Sequence, residues 1–329
     1  MRSWRIPSAP KLVRNIVLVG RTGNGKSATG NSIIGSDVFR SEPKATGVTK
    51  TCLAIEIERP DGSIMNVIDT PGLFDLSESA EYISKEIIKC LTLAEEGLHA
   101  VVLVLSVRTR ITQEEENTLG TLQALFGSEI LDYLIVLFTG GDVLEERNQT
   151  LDDYFRQGCP EFLETVLSMC GGRKVLFNNK NANASTKVSQ VQQFLAHVSS
   201  IEERNYGKPF TNNMHREIKE ETKRVRAQRK AVDTTKLGEA ELAEMQQQLL
   251  MSHERRMSEM ERMVANKLRE TSAEHERMVQ MLNDNLERAQ RDNESLRDEQ
   301  KKEQRRRMMM QVGLAVPGVV GPLLMCSIL

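Results

Sequence analysis

"GRTGNGKS", residues 20–27, fits G-x-x-x-x-G-K-[S/T] at every fixed position. It follows "RNIVLVG" at 14–20, a short β-branched run of the kind that forms a buried parallel strand, and leads into the helix-forming "SATGNSIIG". Strand, glycine loop and helix are the context the motif requires, which sets it apart from a glycine-rich turn without a ligand. Glycines at 20, 23 and 25 let the backbone curl so that successive N–H groups point inward at a helix N-terminus, a nest for phosphates. The spacing therefore predicts a phosphate cradle made of Gly20, Arg21, Thr22, Gly23, Asn24, Gly25, Lys26, Ser27 and Ala28. Lys26 would reach the β and γ oxygens, and the Ser27 hydroxyl would bind Mg²⁺.

A metal on a triphosphate needs a second side. "SIMNVIDTPG", residues 63–72, reads as a strand ending in Asp-x-x-Gly, with Asp69 toward Mg²⁺ and the Gly72 amide toward the γ-phosphate. Between loop and strand lies the polar "RSEPKATGVTKT", where a switch segment would close. Thr49, or alternatively Thr51, is the expected metal and catalytic contact there, with Ser41 a further contact. Leu73 and Phe74 follow Gly72, where many GTPases carry a water-orienting glutamine. An apolar side chain cannot orient a water, so hydrolysis in the isolated domain is expected to be slow, with the missing group supplied by a partner.

"LFTGGDVLE", residues 137–145, stands where a guanine reader is usually spelled Asn/Thr-Lys-x-Asp. Glycine replaces the lysine, assigned here to Gly141, while Asp142 remains. A carboxylate accepts from both N1–H and N2–H₂ of guanine, a donor pair adenine does not present. The lysine stem packs over the base and adds affinity more than choice. Guanine should be read, by fewer groups than usual, with GTP and GDP as ligands.

Taken in order, "LVGRTGNGKSATGNSIIG", "VTKTC", "IDTPGLFD", "RITQEEE" with "LFG" downstream, "LFTGGD" and "FNNK" resemble the motifs of the avirulence-induced-gene type GTPases, also called GIMAP or immune-associated nucleotide-binding proteins. The "TGGD" form looks like the plant branch. The resemblance covers residues 12–205. It implies a P-loop GTPase domain with a mainly parallel sheet that dimerises across its nucleotide faces, as homodimer or family heterodimer. It also implies that Asn179 lies in the last base-proximal loop, and that Arg110 reaches across the dimer as a trans arginine. Arg108 is close enough to confuse that assignment, and Arg110 as a cap for the helix starting "TQEEE" is the plainer alternative.

Strands are expected near 14–20, 52–58, 63–69, 100–106, 133–139 and 173–178, and helices include 79–95, 112–126 and 188–205. Parallel strands joined this way put the site at their carboxyl ends, where all these motifs fall. Beyond the G domain, 213–307 is dense in helix formers, with no proline and one glycine, Gly238. Met257, Met260, Val264, Leu268, Thr271, His275, Met278 and Leu282 recur at steps of three and four, as a coiled-coil seam does. A coiled-coil partner, a solvated helix, or a helix folded back on the G domain would each fit; His253 and His275 read as solvated or seam residues.

Residues 308–329 form an apolar tail after the basic run "KKEQRRR". The tail ends in "CSIL", a C-a-a-X box whose leucine favours geranylgeranyl transfer to Cys326. One lipid plus a basic cluster supplies the two signals that stable attachment to an anionic leaflet needs. The alternatives are a tail anchor without lipid and an apolar tail folded against the protein. The expected location is the cytoplasmic face of the endoplasmic reticulum or plasma membrane, with the G domain in the cytosol. The N-terminus lacks a signal-peptide core, and the five scattered cysteines show no metal-ligand spacing. Lys plus Arg number 44 against 46 Asp plus Glu, so no global field argues for nucleic acid. Two functions remain: a membrane-attached GTP switch with slow, dimer-stimulated hydrolysis, or a nucleotide-stabilised coiled-coil scaffold without significant turnover.

Overall fold

The computed structural model describes residues 12–41, 49–73, 78–180, 183–234 and 239–314. Six strands form one sheet: β1 (Val13–Val19), β2 (Leu53–Glu58), β3 (Ile64–Asp69), β4 (Ala100–Ser106), β5 (Leu134–Thr139) and β6 (Lys174–Phe177). The helices are α1 (Lys26–Ile34), α2 (Ala80–Leu93), α3 (Gln113–Phe126), α4 (Gly141–Glu146), α5 (Leu151–Arg156), α6 (Glu161–Met169), α7 (Ala184–Arg204), α8 (Asn213–Thr234) and α9 (Glu239–Leu314), with a 3₁₀ turn at Ser128–Tyr133.

The sheet order is β2-β3-β1-β4-β5-β6. Every pairing is parallel except β2 with β3, which is antiparallel with Leu53 opposite Asp69. That reversal positions the site. It brings the segment entering β2 to the end of the sheet where the parallel strands finish, so Thr49 arrives beside Asp69.

Successive strand residues point to opposite faces, and both faces are covered, so β4 is apolar from Ala100 to Leu105 and β5 from Leu134 to Phe138. In β4, Val101, Leu103 and Leu105 enter one core with Ile87 of α2, Leu122 of α3 and Leu163 of α6. Ala100, Val102 and Val104 enter the other with Ile33 of α1 and Phe194 and Val198 of α7. This is the P-loop GTPase fold.

The start of α7 is set by its cap. Asn183 caps α7 by accepting from Thr186 N (2.8 Å), which opens that helix four residues before Val188, the first apolar position in its sequence pattern. The residues after Thr139 form the short α4.

The chain divides into two compact units, residues 1–271 and 272–329. The first holds the sheet, α8 and the opening part of α9. Met260, Val264 and Leu268, three members of the seam read from the sequence, are buried in the cluster that contains Ile83 and Ile87 of α2 and Ile218 of α8. Each such burial stabilises by roughly 1.5–3 kcal/mol. His253 lies 3.4 Å from the buried Glu221 carboxylate, which also accepts from Arg224. In the second unit α9 continues, and Met278 and Leu282 are exposed. Among the described residues no helix is long and apolar enough to cross a membrane. Residues 315–329, with Cys326, and Phe74 lie outside the described residues.

Candidate functional site

The loop between β1 and α1 is fixed by close backbone approach. A Cβ on Gly20, where φ is +138°, would sit 2.5 Å from the Val104 carbonyl oxygen, so no other residue fits there. Asn24 is buried and ties the loop to β4, its Nδ2 donating to Val104 O (3.0 Å). Thr139 at the end of β5 donates to Asn24 O (2.8 Å). Lys26 is buried, its Nζ donating to Gly20 O (2.8 Å) and Arg21 O (3.1 Å), so the ammonium lies inside the curl of the loop. Arg21, Thr22 and Gly23 are exposed at the rim, while Ser27 and Ala28 are half-buried on the first turn of α1. Ser41 is exposed at the end of a described stretch.

Ser27, Thr49 and Asp69 meet at the mouth of this loop. Ser27 Oγ donates to Asp69 Oδ2 (2.6 Å), Thr49 Oγ1 donates to the same oxygen (3.2 Å), and the two hydroxyls are 3.0 Å apart. Asp69 is 1% exposed, and its other oxygen, Oδ1, is buried with no hydrogen-bond partner among the described residues. Burial pushes this carboxyl above its usual range, opposed by the Ser27 hydrogen bond and the Lys26 charge. One carboxylate with an unused oxygen beside two hydroxyls is a hard, all-oxygen donor set of the kind Mg²⁺ takes, so the residues fit that ion. Thr51, the alternative to Thr49, is committed elsewhere: it donates to Glu86 of α2 (3.0 Å) and accepts from Lys89 (2.6 Å). Gly72 and Leu73 are buried, and the Leu73 side chain belongs to the core.

The residues expected at the base end come from three loops. Asp142 is buried in the first turn of α4, and its Oδ2 accepts from Arg108 Nη2 in an ion pair the sequence reading did not anticipate. Counting back from Asp142, the lysine position of the usual reader is Gly140, not Gly141. Gly140 has φ +86°, and a Cβ there would lie 3.1 Å from both Arg108 Cγ and Val107 Cγ2. A Cβ on Gly141 would lie 3.1 Å from Asn178 N. Asn179 sits against α1, its Nδ2 donating to Thr29 Oγ1 (3.1 Å) and its Oδ1 accepting from Ser32 Oγ (2.8 Å). Asn178 braces the same turn, its Nδ2 donating to Glu145 Oε2 (2.7 Å) and its backbone N–H to Gln190 Oε1 (2.9 Å).

Arg110 is exposed on the loop between β4 and α3. The cap of α3 is made without it: Thr112 N and Oγ1 both donate to Glu115 Oε2 (2.9 and 2.8 Å), half of a capping box. Among the described residues no cluster of three or more His, Cys, Asp or Glu side chains could hold a metal.

The sequence model of the AIG1 family matches residues 14–229. Immune-associated nucleotide-binding protein 3 of Arabidopsis thaliana is 68% identical over 327 residues, covering 98% of each chain. Immune-associated nucleotide-binding protein 4 of the same plant is 59% identical over 289 residues, covering 88% of this chain and 89% of its own. Among solved structures, Toc33 from Arabidopsis thaliana in complex with Mg²⁺ and GMPPNP aligns with a TM-score of 0.48 at 17% identity, covering 59% of this chain and 86% of that one.

Proposed function

The chain belongs to the AIG1 family, and from that premise we propose that it is a GTP-binding switch or assembly protein with slow GTP hydrolysis stimulated by dimerisation of its G domains. The observation that carries this reading is the buried Asp69 with an unused oxygen, set between two hydroxyls at the mouth of the glycine loop. A bound Mg²⁺ would be held by Ser27, Thr49 and Asp69, and would neutralise charge building on the phosphates. The loop amides and Lys26 hold the phosphates; moving from Gly20 O and Arg21 O to phosphate oxygens, the ammonium exchanges two neutral acceptors for charged ones. Asp142 orients the base by accepting from the N1–H and N2–H₂ edge. Leu73 is buried and offers no water-orienting group, so the added stabilisation comes from a second G domain, with the exposed Arg110 as the guanidinium that crosses.

The names of the relatives support a place in immune responses. The basic run and apolar tail ending in Cys326 support attachment to the cytoplasmic face of a membrane, and the exposed apolar positions of α9 suit a coiled-coil partner.

GTP turnover by the purified chain, with Mg²⁺ and over a range of protein concentrations, tests the central reading. Specific activity rises with concentration, and Arg110→Ala flattens the rise. GTP binding without turnover at any concentration would instead favour the nucleotide-stabilised scaffold.

A further inference from the structure

The base-reading end carries a cation that the reader motif itself lacks. Gly140 occupies the lysine position, and its left-handed backbone (φ +86°) disfavours any side chain there. The volume that side chain would take is filled from another loop: the Arg108 stem lies alongside, with Cγ 3.1 Å and Nε 3.5 Å from where a Cβ would be. Arg108 arrives from just beyond β4, its backbone N–H donating to Ser106 Oγ (3.2 Å). From there its guanidinium reaches Asp142, whose side chain is 9% exposed while that of Arg108 is 44% exposed. Stem over the turn and cation beside the reading carboxylate are what a lysine at 140 would supply.

We propose that Arg108 is a guanine-specificity residue that takes the place of the missing lysine. The inference rests on the guanine-nucleotide reading above. A carboxylate offers about four lone-pair sites, so an Arg108 bond to Oδ2 leaves acceptors for both donors of the base. Held this way, Asp142 stays oriented toward the N1–H and N2–H₂ edge, and the planar guanidinium and its stem cover the purine face. Arg108 therefore acts within one G domain, unlike Arg110, whose contribution needs a second copy.

Calorimetric titration of the full chain with Mg²⁺ and GDP, IDP or inorganic tripolyphosphate separates these roles. IDP lacks the N2 amine, and tripolyphosphate lacks the base. Arg108→Ala should weaken GDP binding about tenfold, the size of one partly desolvated cation contact. It should weaken IDP less, so that the preference for GDP shrinks, and leave tripolyphosphate unchanged at every protein concentration. Arg108→Lys keeps the charge without the planar fork and should fall between wild type and Arg108→Ala; it serves if the alanine variant fails to fold. GDP binding unchanged or tightened in both variants overturns the proposal while the nucleotide reading stands. Wild-type protein that takes neither GDP nor tripolyphosphate overturns that reading and this one with it.

Discussion

Asp69 and Asp142 are both buried carboxylates at the carboxyl end of the same sheet, yet their surroundings are opposite. Asp69 gathers two hydroxyls on one oxygen and leaves the other without a partner among the described residues. Asp142 is already matched by a guanidinium. A buried polar atom without a partner costs stability, so it persists where something outside the chain completes it. The phosphate end is thus arranged to be finished by a cation, whereas the base end arrives with its own. The first end depends on the ligand for its balance. In the proposed site the second shares its carboxylate between the chain and the base.

The largest expected effect breaks the phosphate end. Lys26→Ala removes a charged donor from the cradle and should lower GTP affinity about a hundredfold, the loss of roughly 3 kcal/mol of charge-assisted hydrogen bonding. Competition binding with a fluorescent GTP analogue measures it, and GDP and GTP should both suffer, because the base end cannot hold the nucleotide alone. A loss of less than threefold would mean that the loop amides do the binding without the lysine.

A smaller change should move choice more than strength. Asp142→Asn trades an acceptor for a donor, so GDP should weaken about thirtyfold, near 2 kcal/mol. Xanthosine diphosphate should gain, since its C2 carbonyl can accept from the new amide, while tripolyphosphate binding stays as it was. Equal weakening of all three ligands would show that the variant had damaged the fold of α4 instead of the reading of the base.

The two ends also differ in how far the sequence disclosed them. The phosphate end is contiguous: residues 20–27 lie in one strand–loop–helix unit, so its chemistry is spelled in a single motif. The metal side needed one long-range fact, the antiparallel run of β2, which puts Thr49 and not Thr51 beside Asp69. Period-two alternation cannot give strand direction, so the choice between those threonines stayed open. The base end joins residues 108, 140–142 and 178–179 from three separate loops, and nothing local in "SVRTR" marks Arg108 as the partner of Asp142. The helical region divides in the same way. Its three-and-four spacing marked an apolar seam, but spacing cannot say what covers one. Met260, Val264 and Leu268 face the core next to α2, whereas Met278 and Leu282 are exposed.

The smallest effect tests the unfinished carboxylate directly, through pH. Burial raises the folded-state pKa of Asp69 above its ordinary 3.8. Between those two values the folded protein holds a proton that the unfolded chain has released, so ligand-free stability falls as pH rises through that window. Asp69→Asn cannot ionise. Its amide oxygen can still accept from Ser27 and Thr49, so the ligand-free variant should match wild type below pH 3.8 and become the more stable of the two above the window. With Mg²⁺ and GDP the order should reverse at neutral pH, because metal binding needs the ionised carboxylate and only the wild type gains from it. Thermal unfolding at several pH values, with and without Mg²⁺ and GDP, reads both signs. If Asp69→Asn were the less stable protein in the absence of ligand at neutral pH, the carboxylate would be serving the fold, and the contrast between the two ends of the site would be lost.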